Sequence, residues 1–401
     1  MKKVLAMVLA GGRGERLYPL TRDRAKPAVP FGGIYRIIDF TLSNCINSDI
    51  RRVYVLTQYK SISLHRHIQF GWNILSAPLG EFIEVIPAQQ RLDEHWYQGT
   101  ADAIFQNIYT LQQERPDLVL ILSGDHIYKM DYRKMIAFHM EKGADLTIAA
   151  IRMDRNLSRS FGVMEVERDA RIVGFQEKPE EPKTLPDDPG TILASMGIYV
   201  FTTEVLVRRL IEDARSESSH DFGKDVVPAM IGKDRLFAFD FKQGDQGETG
   251  YWRDVGTIEA YYEANMDLLS VVPQLNLYDS AWPIFTYQLP HPPAKTVWDE
   301  EKRIGTALNS IISNGCIISG GTVKRSLLSP NVRIHSYASV EDSILFEGVE
   351  VGRYAKIRRT IIDKEVQIPS GMEIGYNPHE DMKRFTVTDS GIVVVPKWIR
   401  L

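Results

Sequence analysis

A loop near the start of the chain combines residues that suit the binding of a polyphosphate. It contains three glycines, Gly11, Gly12 and Gly14, which let the backbone approach an anion and direct its N–H groups toward it. Arg16 lies in the same loop and Lys26 follows it, so positive charge is concentrated around the glycines. The loop lacks the Gly-Lys-Ser/Thr of a P-loop, and Leu17 stands where a dinucleotide fingerprint needs its third glycine. The pattern therefore favours polyphosphate binding over its alternative, a tight turn with solvated arginines.

Two aspartates are candidates for binding a divalent metal ion. Asp125 follows the apolar run at 118–122, at the carboxyl end of a predicted strand, where sheets of this kind place ligands. Asp254 lies in the segment Tyr-Trp-Arg-Asp-Val-Gly-Thr, and a carboxylate at either position could hold Mg²⁺ against phosphate oxygens. The alternatives are a helix cap for Asp125 and a salt bridge with Arg253 for Asp254. These two aspartates, from separate parts of the sequence, could bind one ion together.

Three further segments are candidate contacts for a sugar, a base or a phosphate. In Glu177-Lys178-Pro179 the proline restricts the preceding lysine, which could bind a phosphate. Residues 96–103 place two aromatic side chains before a Gly-Thr turn into a helix, and residues 220–225 form a polar cluster. Without context, the first segment also fits a surface turn and the second a core aromatic pair with an ordinary cap. The role of the third stays open.

These candidates are connected by alternating strand and helix patterns. Four apolar runs have the length of buried strands: residues 4–9, 53–57, 118–122 and 146–151. Helical patterns occur at 101–111 and 132–142, and residues 258–270 predict a closing helix. The alternation predicts an α/β fold in which helices cover both sides of a largely parallel sheet.

The C-terminal part of the chain contains a 17-residue repeat of aliphatic side chains. The repeat forms three columns: Ile311, Leu328, Leu345 and Ile362; Ile317, Ile334, Val351 and Ile368; and Val323, Val340, Ile357 and Ile374. Three short faces per repeat predict a triangular parallel β-helix whose stacked coils bury a continuous core. A proline-rich stretch with little periodicity precedes the repeat. We therefore expect a first domain at 1–272, a linker at 273–300 and the β-helix at 301–401.

The composition excludes several classes of protein. The 401 residues carry a net charge of -4, so no basic field attracts nucleic acid or a membrane surface. No apolar stretch approaches the ~20 residues of a membrane-spanning helix. Cys45 and Cys316 do not make a disulfide framework, and they predict reduced thiols in a cytoplasmic protein.

Taken in order, the motifs resemble those of the sugar-1-phosphate nucleotidyltransferases, and in particular the bacterial enzymes that form ADP-glucose. The matching segments include Leu-Ala-Gly-Gly-Arg-Gly at 9–14, Arg-Ala-Lys-Pro-Ala-Val at 24–29, Arg-Ile-Ile-Asp-Phe at 36–40, Gly-Asp-His-Ile-Tyr at 124–128, Glu-Lys-Pro at 177–179 and Ala-Ser-Met-Gly-Ile-Tyr at 194–199. The resemblance covers nearly the whole chain. It implies a Rossmann-like catalytic domain with a mixed, mostly parallel sheet, followed by a C-terminal left-handed parallel β-helix.

The resemblance also implies a reaction and a role for each matching residue. ATP and α-D-glucose 1-phosphate would give ADP-glucose and diphosphate, the committed step of glycogen biosynthesis, with Mg²⁺ as cofactor. The resemblance implies that Asp125 and Asp254 bind Mg²⁺. It implies that Arg16 and Lys26 hold the β- and γ-phosphates of ATP and, with Asp125, carry the catalysis. Glucose 1-phosphate would be bound by five residues: Tyr97, Gly162, Glu177, Lys178 and Ser195. The adenine would contact Gln89 and Gly99.

Regulation and the competing assignments follow from the same comparison of motifs. The family is commonly an allosteric homotetramer with an anionic effector site just before the Arg-Ala-Lys-Pro segment. Arg24 and Arg36 are present here, but Asp23 replaces a lysine found in some relatives, so the identity of the anion stays open. One alternative is an enzyme for another nucleotide and sugar phosphate. The other is a catalytically silent regulatory subunit, which the presence of the metal aspartates and loop cations disfavours.

Overall fold

Strands and helices alternate through the first two thirds of the chain. The computed structural model describes residues 2–89, 96–243, 248–299 and 303–401. The strands of this part are β1 (Val4–Leu9), β2 (Pro30–Phe31), β3 (Tyr35–Arg36), β4 (Arg52–Thr57), β5 (Phe82–Pro87), β6 (Leu118–Ser123), β7 (His126–Tyr128), β8 (Leu146–Asp154), β9 (Gly162–Val166), β10 (Ile172–Glu177), β11 (Thr191–Thr202), β12 (Leu236–Asp240), β13 (Lys242–Gln243), β14 (Glu248–Thr249) and β15 (Trp252–Asp254). The helices are α1 (Ile37–Asn47), α2 (Ile62–Gly71), α3 (Thr100–Phe105), α4 (Ile108–Glu114), α5 (Tyr132–Glu141), α6 (Thr203–Asp213), α7 (Val227–Met230) and α8 (Ile258–Asp267).

The central sheet has the strand order β10-β9-β11-β6-β1-β4-β5, and β8 pairs with both β11 and β12. Strands β6, β1, β4 and β5 are parallel to one another, as are β8 and β12. Strand β11 is antiparallel to β6, β8 and β9. The prediction of an α/β domain with a mixed, mostly parallel sheet is confirmed.

The inner strands of the central sheet are buried on both faces, and their sequences are therefore continuous apolar runs. In β1, Ala6 and Val8 pack into one hydrophobic core, whereas Leu5 and Met7 pack into a second core on the other side of the sheet. Parallel strands covered on both sides lack polar alternation for this reason. Leu9, at the end of β1, pairs with Ser123 at the end of β6. The loops after these two strands therefore leave the sheet at the same edge.

One predicted helix is divided in the structure. The pattern at 101–111 corresponds to α3 and α4, which are separated at Gln106 and Asn107. The Asn107 side chain donates from Nδ2 to the carbonyl oxygen of Ala103, 2.8 Å away. An asparagine side chain that hydrogen-bonds to the backbone in this way competes with the hydrogen bonds of a continuing helix. The helix therefore breaks here, although the helical periodicity of the sequence continues across the break.

The proline-rich stretch packs against α1 and leads into the second part of the fold. Trp282 donates from Nε1 to Asn44 Oδ1 at 2.9 Å, and Thr286 donates from Oγ1 to Asp39 Oδ2 at 2.6 Å. At Lys295 the chain enters a strand that pairs with the repeat region. The end of the segment predicted as linker therefore contributes strand pairing to the β-helix.

The repeat region forms three sheets, which are parallel apart from one antiparallel edge strand in each of two of them. Its strands are β16 (Lys295–Asp299), β17 (Arg303–Ile304), β18 (Thr306–Leu308), β19 (Ile311–Ile312), β20 (Ile317–Ser319), β21 (Thr322–Lys324), β22 (Leu327–Leu328), β23 (Arg333–Ile334), β24 (Ser339–Glu341), β25 (Ile344–Leu345), β26 (Glu350–Val351), β27 (Lys356–Arg358), β28 (Thr360–Ile362), β29 (Gln367–Ile368), β30 (Glu373–Ile374), β31 (Thr386–Val387) and β32 (Val393–Val395), with the helix α9 (Pro378–Met382). The sheets have the orders β17-β16-β20-β23-β26-β29, β18-β21-β24-β27-β30 and β19-β22-β25-β28-β32-β31.

The register follows the predicted 17-residue columns in all coils but the first. Val340 lies beside Val323 and Ile357, as predicted. In the first coil, however, Ile318 rather than Ile317 aligns with Ile334. Likewise Ile312 rather than Ile311 aligns with Leu328. The repeat is one residue shorter at the corner that contains Gly320 and Gly321, so the prediction of Ile311 and Ile317 as column members was wrong by one position.

No helix among the described residues has the length and apolar character that spanning a membrane requires.

Candidate active site

The glycine-rich loop follows β1 and enters a short 3₁₀ turn, Glu15–Leu17. Gly14 has a φ of 65°, in the left-handed region that glycine adopts without strain. A Cβ there would also lie 3.2 Å from Lys26 Cβ, tighter than an ordinary contact. Leu17 is fully buried and anchors the turn, while the Arg16 side chain is 72% exposed. The loop therefore holds its backbone firmly and leaves the Arg16 guanidinium able to reach a ligand.

Lys26 lies at the centre of the site. It begins a 3₁₀ turn, Lys26–Ala28, and its side chain is only 8% exposed. Its ammonium Nζ donates to Asp125 Oδ2 and to Asp254 Oδ1, each at 2.9 Å. One buried cation thus joins two aspartates that are far apart in the sequence.

Strand pairing brings those aspartates together. Strands β7 and β15 form a separate antiparallel ribbon in which Asp254 lies opposite His126, the residue after Asp125. The His126 Nε2 atom lies 3.6 Å from Asp125 Oδ1, and the His126 ring packs edge-on against Trp252. The two carboxylates therefore face the same point.

The opposite charges within this cluster determine the ionisation of Asp125 and Lys26. Burial acts to raise the pKa of Asp125, but the ammonium of Lys26 outweighs it and the pKa falls below its usual range. Burial likewise acts to lower the pKa of Lys26, but Asp125 and Asp254 outweigh it and the pKa rises. Asp125 and Lys26 are therefore both charged at neutral pH.

Two polar cavities adjoin this cluster. The first has a volume of about 470 Å³, and its lining includes five predicted residues: Gly12, Gly14, Arg16, Lys26 and Asp125. The second has a volume of about 260 Å³, and its lining includes Gly162, Glu177, Lys178, Ser195 and Asp254. Leu9 lines both. The aspartates therefore stand where the two cavities meet.

The second cavity is shaped by the pairing of β9 with β10. Gly162 lies opposite Glu177, and a Cβ on Gly162 would come within 2.4 Å of Phe175 Cζ and 3.0 Å of Glu177 Oε2. Only glycine fits this position while the Glu177 carboxylate faces the cavity. The Lys178 ammonium lies 3.4 Å from Glu177 Oε1, and its side chain is 55% exposed. The cavity thus offers a carboxylate for hydroxyl groups and a cation for a phosphate.

Four residues predicted as binding residues do not line either cavity. The Tyr97 hydroxyl accepts a hydrogen bond from Asn107 Nδ2 at 2.9 Å. Gly11 packs against the side chain of Gln58. Gly99 precedes α3 and packs against the carbonyl oxygen of His220, and Gln89 is exposed beside residues outside the described ranges.

Several cavity residues were not predicted as binding residues. They include His126, Tyr199, Asp221, Phe222, Gly223 and Trp252. Asp221 accepts hydrogen bonds from the backbone N–H of Gly223 at 2.9 Å and from Thr100 Oγ1 at 2.9 Å, which ties the wall of the cavity to α3. The polar cluster at 220–225 was the signal for Asp221, Phe222 and Gly223, but its position in space was not evident from the sequence.

This fold and this site define a class of enzyme that acts on nucleotides and phosphorylated substrates. The family model described as nucleotidyl transferase matches residues 5–271, and a model described as GlmU-like, C-terminal hexapeptide matches residues 292–395. The chain belongs to the nucleotidyl transferase family. The hexapeptide match and the parallel three-sheet coils are consistent with the left-handed β-helix that we predicted.

Curated relatives match the chain over nearly its full length. A glucose-1-phosphate adenylyltransferase of Koribacter versatilis is 56% identical, over 99% of this chain and 96% of the relative. Proteins of the same name from Rhodopirellula baltica and Methylobacillus flagellatus are 58% and 53% identical. They cover 99% and 98% of this chain, and the chain covers 90% and 93% of them.

The residues present fit a divalent cation, which nucleotidyltransferases of this kind generally use. Asp125 and Asp254 already share one cation, the Lys26 ammonium, and carboxylate oxygens are ligands that hard divalent ions prefer. Within the described ranges, no group of three or more His, Cys, Asp or Glu side chains is placed to hold a metal. Two carboxylates would therefore leave the remaining coordination positions to water and substrate phosphates.

Proposed function

We propose that this chain is a glucose-1-phosphate adenylyltransferase that converts ATP and α-D-glucose 1-phosphate to ADP-glucose and diphosphate with Mg²⁺. The names of its relatives support this assignment. The observation that carries it is the cluster of Lys26, Asp125 and Asp254 at the junction of the two cavities. One cavity suits the triphosphate and the other suits the sugar phosphate, so the reacting phosphates would meet at the cluster.

The proposed reaction requires the protein to neutralise charge and to align the substrates, and it does not require a general base. A phosphate oxygen of glucose 1-phosphate attacks the α-phosphorus of ATP in line, and diphosphate leaves. The nucleophile is already an anion at neutral pH. Arg16 and Lys26 would neutralise the phosphates of ATP, and Lys178 would hold the phosphate of the sugar. Mg²⁺, held by Asp125 and Asp254, would supply further charge neutralisation.

The remaining substrate contacts are assigned by the same proposal. Glu177 would accept hydrogen bonds from sugar hydroxyls, with Gly162 and Ser195 beside it. We keep Gln89 and Gly99 as proposed contacts of the adenine. For Tyr97 we propose a supporting role next to the sugar, because its hydroxyl is bonded to Asn107.

A diphosphate-release assay tests the function. We expect release to be fastest with ATP and glucose 1-phosphate among ATP, UTP, dTTP and GTP, each paired with glucose 1-phosphate and with mannose 1-phosphate. A higher kcat/KM with another pair would replace the substrate assignment within the same class. No release with any pair from the purified, folded chain would favour a silent regulatory subunit instead.

Removal of the Lys178 ammonium should chiefly weaken binding of the sugar phosphate. For Lys178→Ala we expect KM for glucose 1-phosphate to rise by about 10-fold to 100-fold, the value of a charge-assisted hydrogen bond, with a smaller change in kcat. Lys183→Ala is the matched control, since Lys183 is exposed on the same loop and does not line the cavity. An unchanged KM in Lys178→Ala would contradict the assignment.

We also propose regulation by an anionic metabolite near Arg24 and Arg36, in a cytoplasmic homotetramer of glycogen biosynthesis. Several positively charged side chains lie close together here, which supports the proposal of a site for an anionic effector. Burial lowers the pKa of Arg36, and nearby Arg24 adds to the effect. Burial also lowers the pKa of Lys364, and Arg36 and Arg24 act in the same direction. Ion pairs of Arg24 with Asp363 and of Lys364 with Glu347 offset part of this repulsion, and an added anion would relieve the rest. Screening fructose 6-phosphate, fructose 1,6-bisphosphate, pyruvate, AMP and phosphate in the same assay tests the proposal, which fails if none changes the rate.

A further inference from the structure

A buried ion pair joins the catalytic domain to the β-helix. Arg24 Nη2 donates to Asp363 Oδ1 at 2.8 Å and to Asp363 Oδ2 at 3.1 Å. The two side chains are only 7% and 4% exposed. A charge buried to this extent is costly to leave unpaired, so the loss of either partner would disturb its surroundings strongly.

The β-helix holds Asp363 in a fixed position. The residue directly follows β28, and its backbone N–H donates to the carbonyl oxygen of Val395 at 3.0 Å. Its Oδ1 atom also accepts a hydrogen bond from the backbone N–H of Lys364 at 2.7 Å. The carboxylate is therefore held by the coil backbone and presents a defined anchor to the other domain.

The anchored arginine lies two residues before the catalytic lysine. Ala25, between them, is buried and extended, and its N–H donates to the carbonyl oxygen of Lys60 at 3.2 Å. The 3₁₀ turn that starts at Lys26 follows at once. Because Arg24 and Lys26 are only two positions apart in the chain, their Cα atoms lie within about 7 Å of each other, and a displacement of Arg24 would reach Lys26 through the Ala25 backbone.

From this geometry we infer that Asp363 is a positioning residue for the reaction: through Arg24, it sets where the Lys26 ammonium stands between Asp125 and Asp254. The inference rests on the proposed catalytic role of Lys26. In this structure the Lys26 ammonium contacts both carboxylates at 2.9 Å, and from this position it would contact the phosphates of ATP; a shift of about 1 Å in a catalytic group can cost about 100-fold in rate. The β-helix therefore takes part in catalysis without touching the substrate.

The test compares Asp363→Asn with the unmodified full-length protein, without added effectors. We expect kcat to fall about 10-fold to 100-fold, while KM for glucose 1-phosphate changes much less, because neither Arg24 nor Asp363 lines the sugar cavity. A readout independent of activity is the rate at which Lys26 is modified by an amine reagent, followed by mass spectrometry. Lys26 is buried in the native protein, and we expect it to react several-fold faster in Asp363→Asn.

Two further variants separate positioning from general destabilisation. Tyr262→Phe removes another bond between the same domains, from the Tyr262 hydroxyl to the carbonyl oxygen of Asp342, and should leave kcat and Lys26 reactivity unchanged. The double variant Arg24→Met/Asp363→Leu replaces the pair by apolar groups and should recover part of the lost kcat. If Asp363→Asn does not fold, Arg24→Lys is tested in its place. Lysine keeps the positive charge but lacks the planar guanidinium that hydrogen-bonds both carboxylate oxygens, so we expect the same results.

Clear results would overturn the inference. Unchanged kcat in Asp363→Asn would do so, as would a lower kcat with Lys26 as protected as in the native protein. If Lys26→Met itself keeps full activity, the proposed role of Lys26 fails, whatever Asp363→Asn does. The two failures are therefore distinguishable.

Discussion

Substitution of Asp125 by asparagine should lower kcat by about 10³-fold, because the reaction depends on charge neutralisation at the junction of the two cavities. Asparagine has nearly the same shape but carries no charge, so it would bind a divalent ion and orient Lys26 much less well. The packing of the residue is conserved in the variant, and the turn between β6 and β7 should stay intact. Steady-state kinetics with ATP and glucose 1-phosphate, with circular dichroism to check the fold, measure the effect.

Asp131→Asn is a matched control for that substitution. Asp131 caps α5 in the same region and does not line either cavity, and asparagine caps helices about as well as aspartate. We expect normal kcat in this control. Near-normal turnover in Asp125→Asn would remove Asp125 from the mechanism.

The second large effect is expected for Lys26→Met, which keeps the length of the side chain and removes its charge. We expect kcat to fall by about 10²-fold to 10³-fold, since a buried cation that would face the phosphates is lost. The same change should strengthen the binding of a divalent ion without substrates, because the ammonium now hydrogen-bonds both aspartates. Calorimetric titration with Mg²⁺ or Mn²⁺ measures this second effect.

The kcat value and the affinity for a divalent ion together test the geometry of the cluster. Lys134→Met, on the exposed surface of α5, is the control and should change neither quantity. Weaker metal binding in Lys26→Met would show that the lysine supports the metal site rather than competing for it. Full activity in the same variant would contradict its proposed contact with ATP.

The local parts of this protein could be predicted from short stretches of sequence. The run at 4–9 has to be a buried strand, because its side chains are apolar at successive positions. The glycines after it predict a phosphate-binding loop, since glycine lets the backbone approach an anion and direct its N–H groups toward it. The aliphatic repeat from 323 to 374 predicts a β-helix, because each coil repeats the same inward-facing positions. All three signals depend only on neighbours in the chain or on a fixed period.

Contacts between distant segments were decided by the tertiary structure alone. The sequence suggested that Asp125 and Asp254 bind one ion together, but only the pairing of β7 with β15 placed both of them around one lysine. The short corner in the first coil shifted Ile311 and Ile317 by one position, because the spacing there is set by local backbone geometry and not by the average period. The strands, the loop and the repeat could thus be predicted, because their physical causes are local. Which charges meet, including the pairing of Asp363 with the segment that carries Lys26, depends on long-range packing and became evident in the folded protein.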